Sequence, residues 1–465
     1  MLTSIILDLA SHTRLLLYNR PKHARLYRWL VLYPLYALAE IAIIATDLAE
    51  LLGSAIALSL LFPRLQLWQG LLLTVIDVII ILAMRDPLGG RPVRAFELLI
   101  AVLVLAVLIC MALIISKVDI DWGHVFQGYL PSKYVFASGS LYTSIGILGA
   151  TVMPHSLFLG SALATQDRVN CRQPVETDGL MLSATNTIAS DDLKTCPPSP
   201  KSLISALKDS TARLFRAPPA SLYATSATRH SEHENNPLSF VKPHLWHGIA
   251  DVIGCLLGFA VLINSMILIL ASAVFYYGQN EVGKDPATLF DAYDLVRDLI
   301  GQPAATLFAI ALLAAGQSSS FIATVAGQAV SEGFIQWRVS PVIRRLFTRL
   351  IAIIPSMVVA IAVGRDGISA LLVASQVILS IVLPFVVFPL LYCTSSKTIM
   401  RSRRDDGQGR MSEDEAESDV ENAGGEEWVD FSNGKISTAV GFVIWLVIVA
   451  ANGYTLIDLV IGLHR

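Results

Sequence analysis

Charge is what this chain has least of. Asp, Glu, Lys and Arg make up 15% of its 465 residues and hydrophobic side chains 54%, a balance that water-soluble globular domains seldom show. The net charge is only −3, so no field of one sign points to a nucleic acid as partner. The five cysteines, Cys110, Cys171, Cys196, Cys255 and Cys393, form no Cys-x-x-Cys pair. Their scatter argues against a disulfide framework and against a thiolate metal cage. The opening stretch "MLTSIILDLASHTR" lacks the basic start and long apolar run of a cleavable signal peptide. No nucleophile–base pairing or nucleotide motif is visible, which argues against an enzyme.

What is abundant is apolar sequence in runs long enough to cross a hydrocarbon core of about 30 Å. Hydropathy places nine spans at 29–61, 67–84, 95–116, 140–165, 246–276, 303–335, 346–364, 367–393 and 437–462. Lys and Arg alternate across the connections. Segments 11–28, 85–94, 336–349 and 394–410 hold five, three, four and five, whereas 62–66, 117–139, 277–302 and 365–366 hold one, two, two and one. The positive-inside rule makes the rich segments cytoplasmic, with the N-terminus inside and the C-terminus outside. The expected organisation is a cytoplasmic segment 1–28, spans over 29–165, a loop over 166–245, spans over 246–393, a linker over 394–436 and a last span within 437–465. The 166–245 loop, rich in Ser, Thr, Pro and Ala, is too polar to bury a core and reads as disordered. The linker turns from "RSRR" to "EDEAESDVENAGGEE", a solvated acidic stretch.

Inside one span the sequence reads "GATVMPHSLFLGSAL", residues 149–163. Pro154 has no N–H for the carbonyl four residues back, which belongs to Ala150, and its ring pushes that carbonyl away. In a bilayer such an oxygen is tolerated only where a neighbour, water or ligand uses it again. Met153 is three residues from Ala150, which on a helix puts its thioether on the same face. A hard oxygen beside a soft sulfur favours Mn²⁺, Fe²⁺ or Co²⁺ over Ca²⁺ and Mg²⁺. His155 follows and titrates near physiological pH. A break into two half-helices near Ala150 to Met153 is the structural expectation. A second span holds Glu40, Asp47 and Glu50, whose spacings of seven and three put all three within about 80° on a helix. A row of intramembrane carboxylates marks an ion or proton path. "RRLFTRLIAIIP" supplies Arg344, Arg345 and Arg349 at the cytoplasmic mouth of a later span.

Taken in order, "ATDLAE", "GATVMPHSLFLGSAL", "LLAAGQSSSFIATVAGQAVSEGF", "TRLIAIIP" and "ASQVILSIVLPF" closely resemble the Nramp (SMF) family of proton-coupled divalent metal ion transporters in its fungal form. The resemblance implies an all-α integral membrane protein with the LeuT-like fold, two five-helix inverted repeats around a metal site near the midplane. It implies metal ligands at Ala150 (carbonyl), Met153 (thioether) and Gln376, and proton movement through His155, Asp47, Glu50, Glu40 and Arg349. Manganese or iron and protons are then cargo, with no resident cofactor, and the lipid bilayer of a plasma, endosomal or vacuolar membrane is the surrounding partner.

The chain also departs from the family. It has no Asp-Pro-Gly-Asn, the motif that supplies the family's main metal ligands, and Gly160 stands where a later family histidine would be. The likeness begins at "LDLASHTRLL", at the cytoplasmic end of the family's second helix. The chain therefore reads as an N-terminally truncated form, lacking the first helix and most of the second and expected to hold metal weakly. Two rival classes share the scaffold: a LeuT-like carrier of organic solutes, which has no need of Met153 beside a freed carbonyl, and a non-transporting membrane metal sensor with the two inserts as signalling tails.

Overall fold

The computed structural model describes residues 8–20, 22–74, 93–130, 132–133, 140–165, 235–273, 288–337, 340–404 and 428–462. They fold as helices in chain order: α1 Leu9–Tyr18, α2 Ala24–Leu61, α3 Leu67–Leu73, α4 Val93–Ile115, α5 Trp122–Gly128, α6 Ser140–Thr151, α7 Pro154–Ala164, α8 Leu238–Ala271, α9 Leu289–Ile300, α10 Gln302–Ile335, α11 Pro341–Ala362, α12 Arg365–Ser395 and α13 Lys435–Gly462. Among the described residues six helical stretches are long and apolar enough to cross a membrane: α2, α6 with α7, α8, α10, α12 and α13; Ile100–Ile115 and Leu346–Ala362 are shorter apolar helices. The expected span at 67–84 is described only through Thr74; its remainder lies outside the described residues, as do most of the 166–245 loop and the acidic stretch of the linker.

α2 is the central helix and is buried along most of its membrane stretch. Small residues let its neighbours come close, as they must where lipid supplies no hydrophobic drive between helices. Gly316 of α10 is one such point, since a Cβ there would lie 2.4 Å from Ser54 Oγ. Around this axis Leu35, Ala39, Ile43, Phe158, Val330, Phe334, Leu379 and Val386 pack one core, about the first half of α2. Leu51, Leu52, Ile56, Leu71, Phe290, Ile353 and Ile368 pack a second, about its later half. α1 closes the first core. Asp8 caps it by accepting from Ser11 N–H at 2.7 Å, and Leu9 N–H donates to Ser161 Oγ of α7 at 2.7 Å.

Two boundaries differ from the sequence reading. α8 starts at Leu238, eight residues before the expected start of the span at 246, with Pro237 as its N-cap. Its first turns mix apolar Leu238 and Val241 with Lys242 and His244, an amphipathic start that a hydropathy window averages away. The linker is not loop at its ends. Arg401–Arg403 pairs antiparallel with Trp428–Asp430, as β1 and β2, and Ser402 Oγ donates to the Asn236 carbonyl at 2.6 Å. This small ribbon gathers the close of the long insert and both ends of the linker at one place.

α6 lies against α12 through Gly149, where an added Cβ would sit 2.2 Å from the Gln376 carbonyl oxygen and 2.7 Å from Ser380 N. Gly149→Ala is therefore expected to force the two helices apart, at about 1–3 kcal/mol of overpacking, and to lower the unfolding temperature by several degrees. An unfolding temperature equal to the parent's in the same lipid would refute that close contact.

Candidate metal half-site and buried polar chain

The helix over 140–165 is broken: α6 ends at Thr151 and α7 begins at Pro154. Pro154 sits at the first helical position, where a missing N–H is no loss, and it biases the residue before it towards extended backbone. Met153 accordingly has φ −72° and ψ 127° and serves as the N-cap of α7. This corrects the helical-face argument for the sulfur: Met153 lies in the break itself, not one turn along from Ala150. Val152 N–H donates to the Leu148 carbonyl at 2.9 Å and Ser156 N–H to the Met153 carbonyl at 3.1 Å; none of the turn or loop hydrogen bonds at the break ends on the Ala150 oxygen. Met153 is half-buried and packs against the first core.

Gln376 comes from α12 on the far side of the Gly149 contact. Its Nε2 donates to Ser375 Oγ at 3.3 Å, while its Oε1 is buried without a hydrogen-bond partner among the described residues. An unpartnered buried acceptor in a membrane protein is worth roughly 1–3 kcal/mol to whatever satisfies it. The break thus brings together, around Gly149, one helix with a freed carbonyl and another with a free amide oxygen. Among the described residues no three His, Cys, Asp or Glu side chains form a metal-holding cluster, so this donor set is neutral.

His155, 1% exposed, turns from α7 towards α2. Its Nδ1 lies 3.2 Å from Thr46 Oγ1, and Thr46 Oγ1 donates to the Ala42 carbonyl at 2.9 Å. With the hydroxyl proton so placed, the network assigns the ring proton to Nδ1 and leaves Nε2, which has no partner among the described residues, as a bare lone pair. Next along α2, Asp47 is wholly buried and lies 3.6 Å from Arg349 Nη1 of α11. Arg349 Nη2 donates to Ser320 Oγ of α10 at 3.3 Å. One turn further, Glu50 Oε1 accepts from Ser319 Oγ at 2.5 Å. Glu40 stands apart from this group and pairs with Arg344 at 2.6 Å.

The structure therefore pairs Asp47 with Arg349, sets Glu50 on Ser319 a turn further, places Thr46, the residue before Asp47, against His155, and gives Glu40 its own partner. Arg344, one of the three arginines read from sequence at the mouth of a later span, is that partner. Thr46, Ser319 and Ser320 were not singled out from sequence. The signal for the serines was the run "QSSSF" within the otherwise apolar span of α10, whose hydroxyls no turn or cap explains.

A family profile described as natural resistance-associated macrophage protein-like (Nramp) matches residues 22–190 and 218–407. The chain belongs to the Nramp family. It is 40% identical over 430 residues to the manganese transporter pdt1 of Schizosaccharomyces pombe, covering 92% of this chain and 70% of that protein. It is 37% identical to the iron transporter SMF3 of Saccharomyces cerevisiae, covering 98% of this chain and 84% of the relative. Among solved structures, a manganese transporter of Eremococcus coleocola in complex with an aromatic bis-isothiourea substituted compound aligns with a TM-score of 0.61 at 27% identity, over 97% of this chain and 74% of that one. This Nramp chain is a multi-pass, all-α integral membrane protein with the LeuT-like fold of its relatives.

Breaking a buried ion pair from one side leaves a bare charge, at about 3–5 kcal/mol, whereas removing both charges together is far milder. Arg349→Gln should therefore lower thermal stability sharply and the Asp47→Asn, Arg349→Gln double variant should regain part of the loss. A double variant as unstable as the sum of the singles would show that the two side chains do not interact.

Proposed function

We propose that this chain carries divalent transition-metal ions, manganese or iron, across a membrane, with the metal held at the α6–α7 break and its movement coupled to protons. The observations that carry the reading are the freed Ala150 carbonyl, the Met153 residue in the break and the unpartnered Gln376 Oε1, on two helices whose backbones meet at Gly149. Two oxygens and a thioether suit a borderline first-row ion better than an alkaline earth. The relatives named above, transporters of manganese and of iron, support the same cargo.

Coupling is assigned to the buried polar chain. His155 is one residue from Pro154 and offers Nε2 as a proton acceptor; its Nδ1 meets Thr46, and the Asp47–Arg349 pair and Glu50 follow along the same helix. The His155 imidazole takes and gives the proton, and the carboxylates continue the relay towards α10 and α11. Glu40 and Arg344 mark the cytoplasmic end of the same helix face.

The test is Mn²⁺ uptake into proteoliposomes under an imposed pH gradient. Uptake that rises with the gradient and carries protons with it is expected, and no uptake, or uptake indifferent to the gradient, would overturn the reading. Asp47→Asn should leave Mn²⁺ uptake measurable while removing most of the accompanying proton flux; unchanged proton flux would take Asp47 out of the path. Met153→Ala removes the soft donor and keeps the oxygens. Transport of Mn²⁺ should persist while its preference over Ca²⁺ falls by roughly tenfold, the effect of about 1.4 kcal/mol of lost discrimination. An unaltered preference would place selectivity elsewhere.

A further inference from the structure

Three of the four connections with few basic residues, 62–66, 277–302 and 365–366, lie together on the side that charge makes non-cytoplasmic. Their described parts meet around one cleft of about 760 Å³. The end of α2 and start of α3 supply Ser59 and Trp68, α9 supplies Phe290, Tyr293 and Arg297, and α12 supplies Arg365. It shares no residue with the half-site, and its volume lies in the range of small-molecule pockets.

Its chemistry is wrong for a bare metal ion. Of its charged lining groups two are guanidiniums, and the carboxylate, Asp294, already holds Arg297 at 2.9 Å. Asp298 takes the same arginine at 3.0 Å. Arg365 is different. It is exposed, its guanidinium carbon lies 4.5 Å from the centre of the Phe290 ring, and no carboxylate among the described residues pairs with it. Stacking fixes the plane of the fork and leaves its N–H groups to be used sideways, the geometry that suits a carboxylate. Nearby, the Tyr293 hydroxyl accepts from Gln302 Nε2 at 3.0 Å and keeps its own proton to give. Trp68 spends its indole N–H on Gln66 Oε1 at 2.6 Å, so towards the cleft it offers only ring surface.

From this we infer that the cleft binds a small organic dicarboxylate with an apolar body. One carboxylate is taken bidentate by Arg365, the second accepts from the Tyr293 hydroxyl, and the body rests on Trp68. A plain inorganic anion fits less well, because it leaves the aromatic wall uncovered in a cleft far larger than itself. Such an occupant would tie α9 to the α2–α3 and α11–α12 corners. The inference concerns binding alone and is measured without transport, so its failure leaves the proposed cargo untouched.

The experiment is calorimetric titration of phthalate into the full chain in lipid nanodiscs and metal-free buffer, with sulfate as a divalent anion that has no ring. Saturable binding of phthalate is expected, with sulfate at least roughly tenfold weaker, the difference made by about 1.4 kcal/mol of ring burial. Arg365→Gln should weaken phthalate by a similar factor, and Arg365→Lys, which keeps the charge but loses the fork, by less. If Arg365→Gln proves unstable, the Arg365→Lys loss decides. No saturable binding, equal binding of sulfate, or affinity unchanged in both Arg365 variants would each overturn the assignment.

Discussion

The pair that everything else accommodates is Asp47 with Arg349. Arg349 is among the largest fully buried side chains of the protein, at 1% exposure, and Asp47 is at 0%. A guanidinium in a membrane interior is stable only against a carboxylate, because the desolvation of either ion alone exceeds several kcal/mol. Meeting that condition fixes α2, α10 and α11 against one another, since the carboxylate, the Ser320 hydroxyl and the guanidinium come from one each. It also fixes the rotation of α2 about its axis. With Asp47 turned to α11, Glu50 a turn on meets Ser319 of α10, Glu40 two turns back meets Arg344, and the preceding residue, Thr46, is turned to α7 and His155.

Backbone accounting in lipid separates two prolines that sequence treats alike. Pro384, inside α12, frees the carbonyl of Ser380, and Asn452 Nδ2 of α13 donates to that oxygen at 3.1 Å. The Pro384 carbonyl in turn accepts from Trp445 Nε1 at 2.9 Å. That proline is structural: its freed oxygen is consumed, and it seats the last helix. Pro154 frees Ala150, and the turn bonds around it pass that oxygen by. Since a bilayer tolerates a spare carbonyl only where something other than the chain satisfies it, the contrast points to the break at residues 152–153 as the place for a ligand.

Much of this was legible because membrane constraints are local. Pro154 announced the break, and the spacing of Glu40, Asp47 and Glu50 announced a common face of α2. The partners of those acids were not, because choosing between Arg344 and Arg349 requires knowing how α11 crosses α2, which no periodicity encodes. Met153 was misplaced for a definable reason: helical spacing was applied across a residue that the following proline pushes into extended backbone. The pairing of Arg401–Arg403 with Trp428–Asp430 joins segments across an acidic stretch whose composition gives no hint that its ends meet. Gly149 looked like one more small residue in a span until the Gln376 backbone was found against it.

On the proposed function, the division between a neutral half-site and a charged chain beside it has a consequence for coupling. Ala150, Met153 and Gln376 offer two oxygens and a sulfur without a formal charge, so they sort ions by softness and hold them weakly by charge. The field that stabilises a dication there must come from carboxylates in the same low-dielectric interior. Arg349 offsets Asp47, which leaves the protonation of Glu50 and His155 as the adjustable part of that field. A proton added to either raises the free energy of a cation in the break, and by reciprocity a cation in the break eases a proton away. Metal and proton are then linked through space by their charges, without a side chain that must touch both.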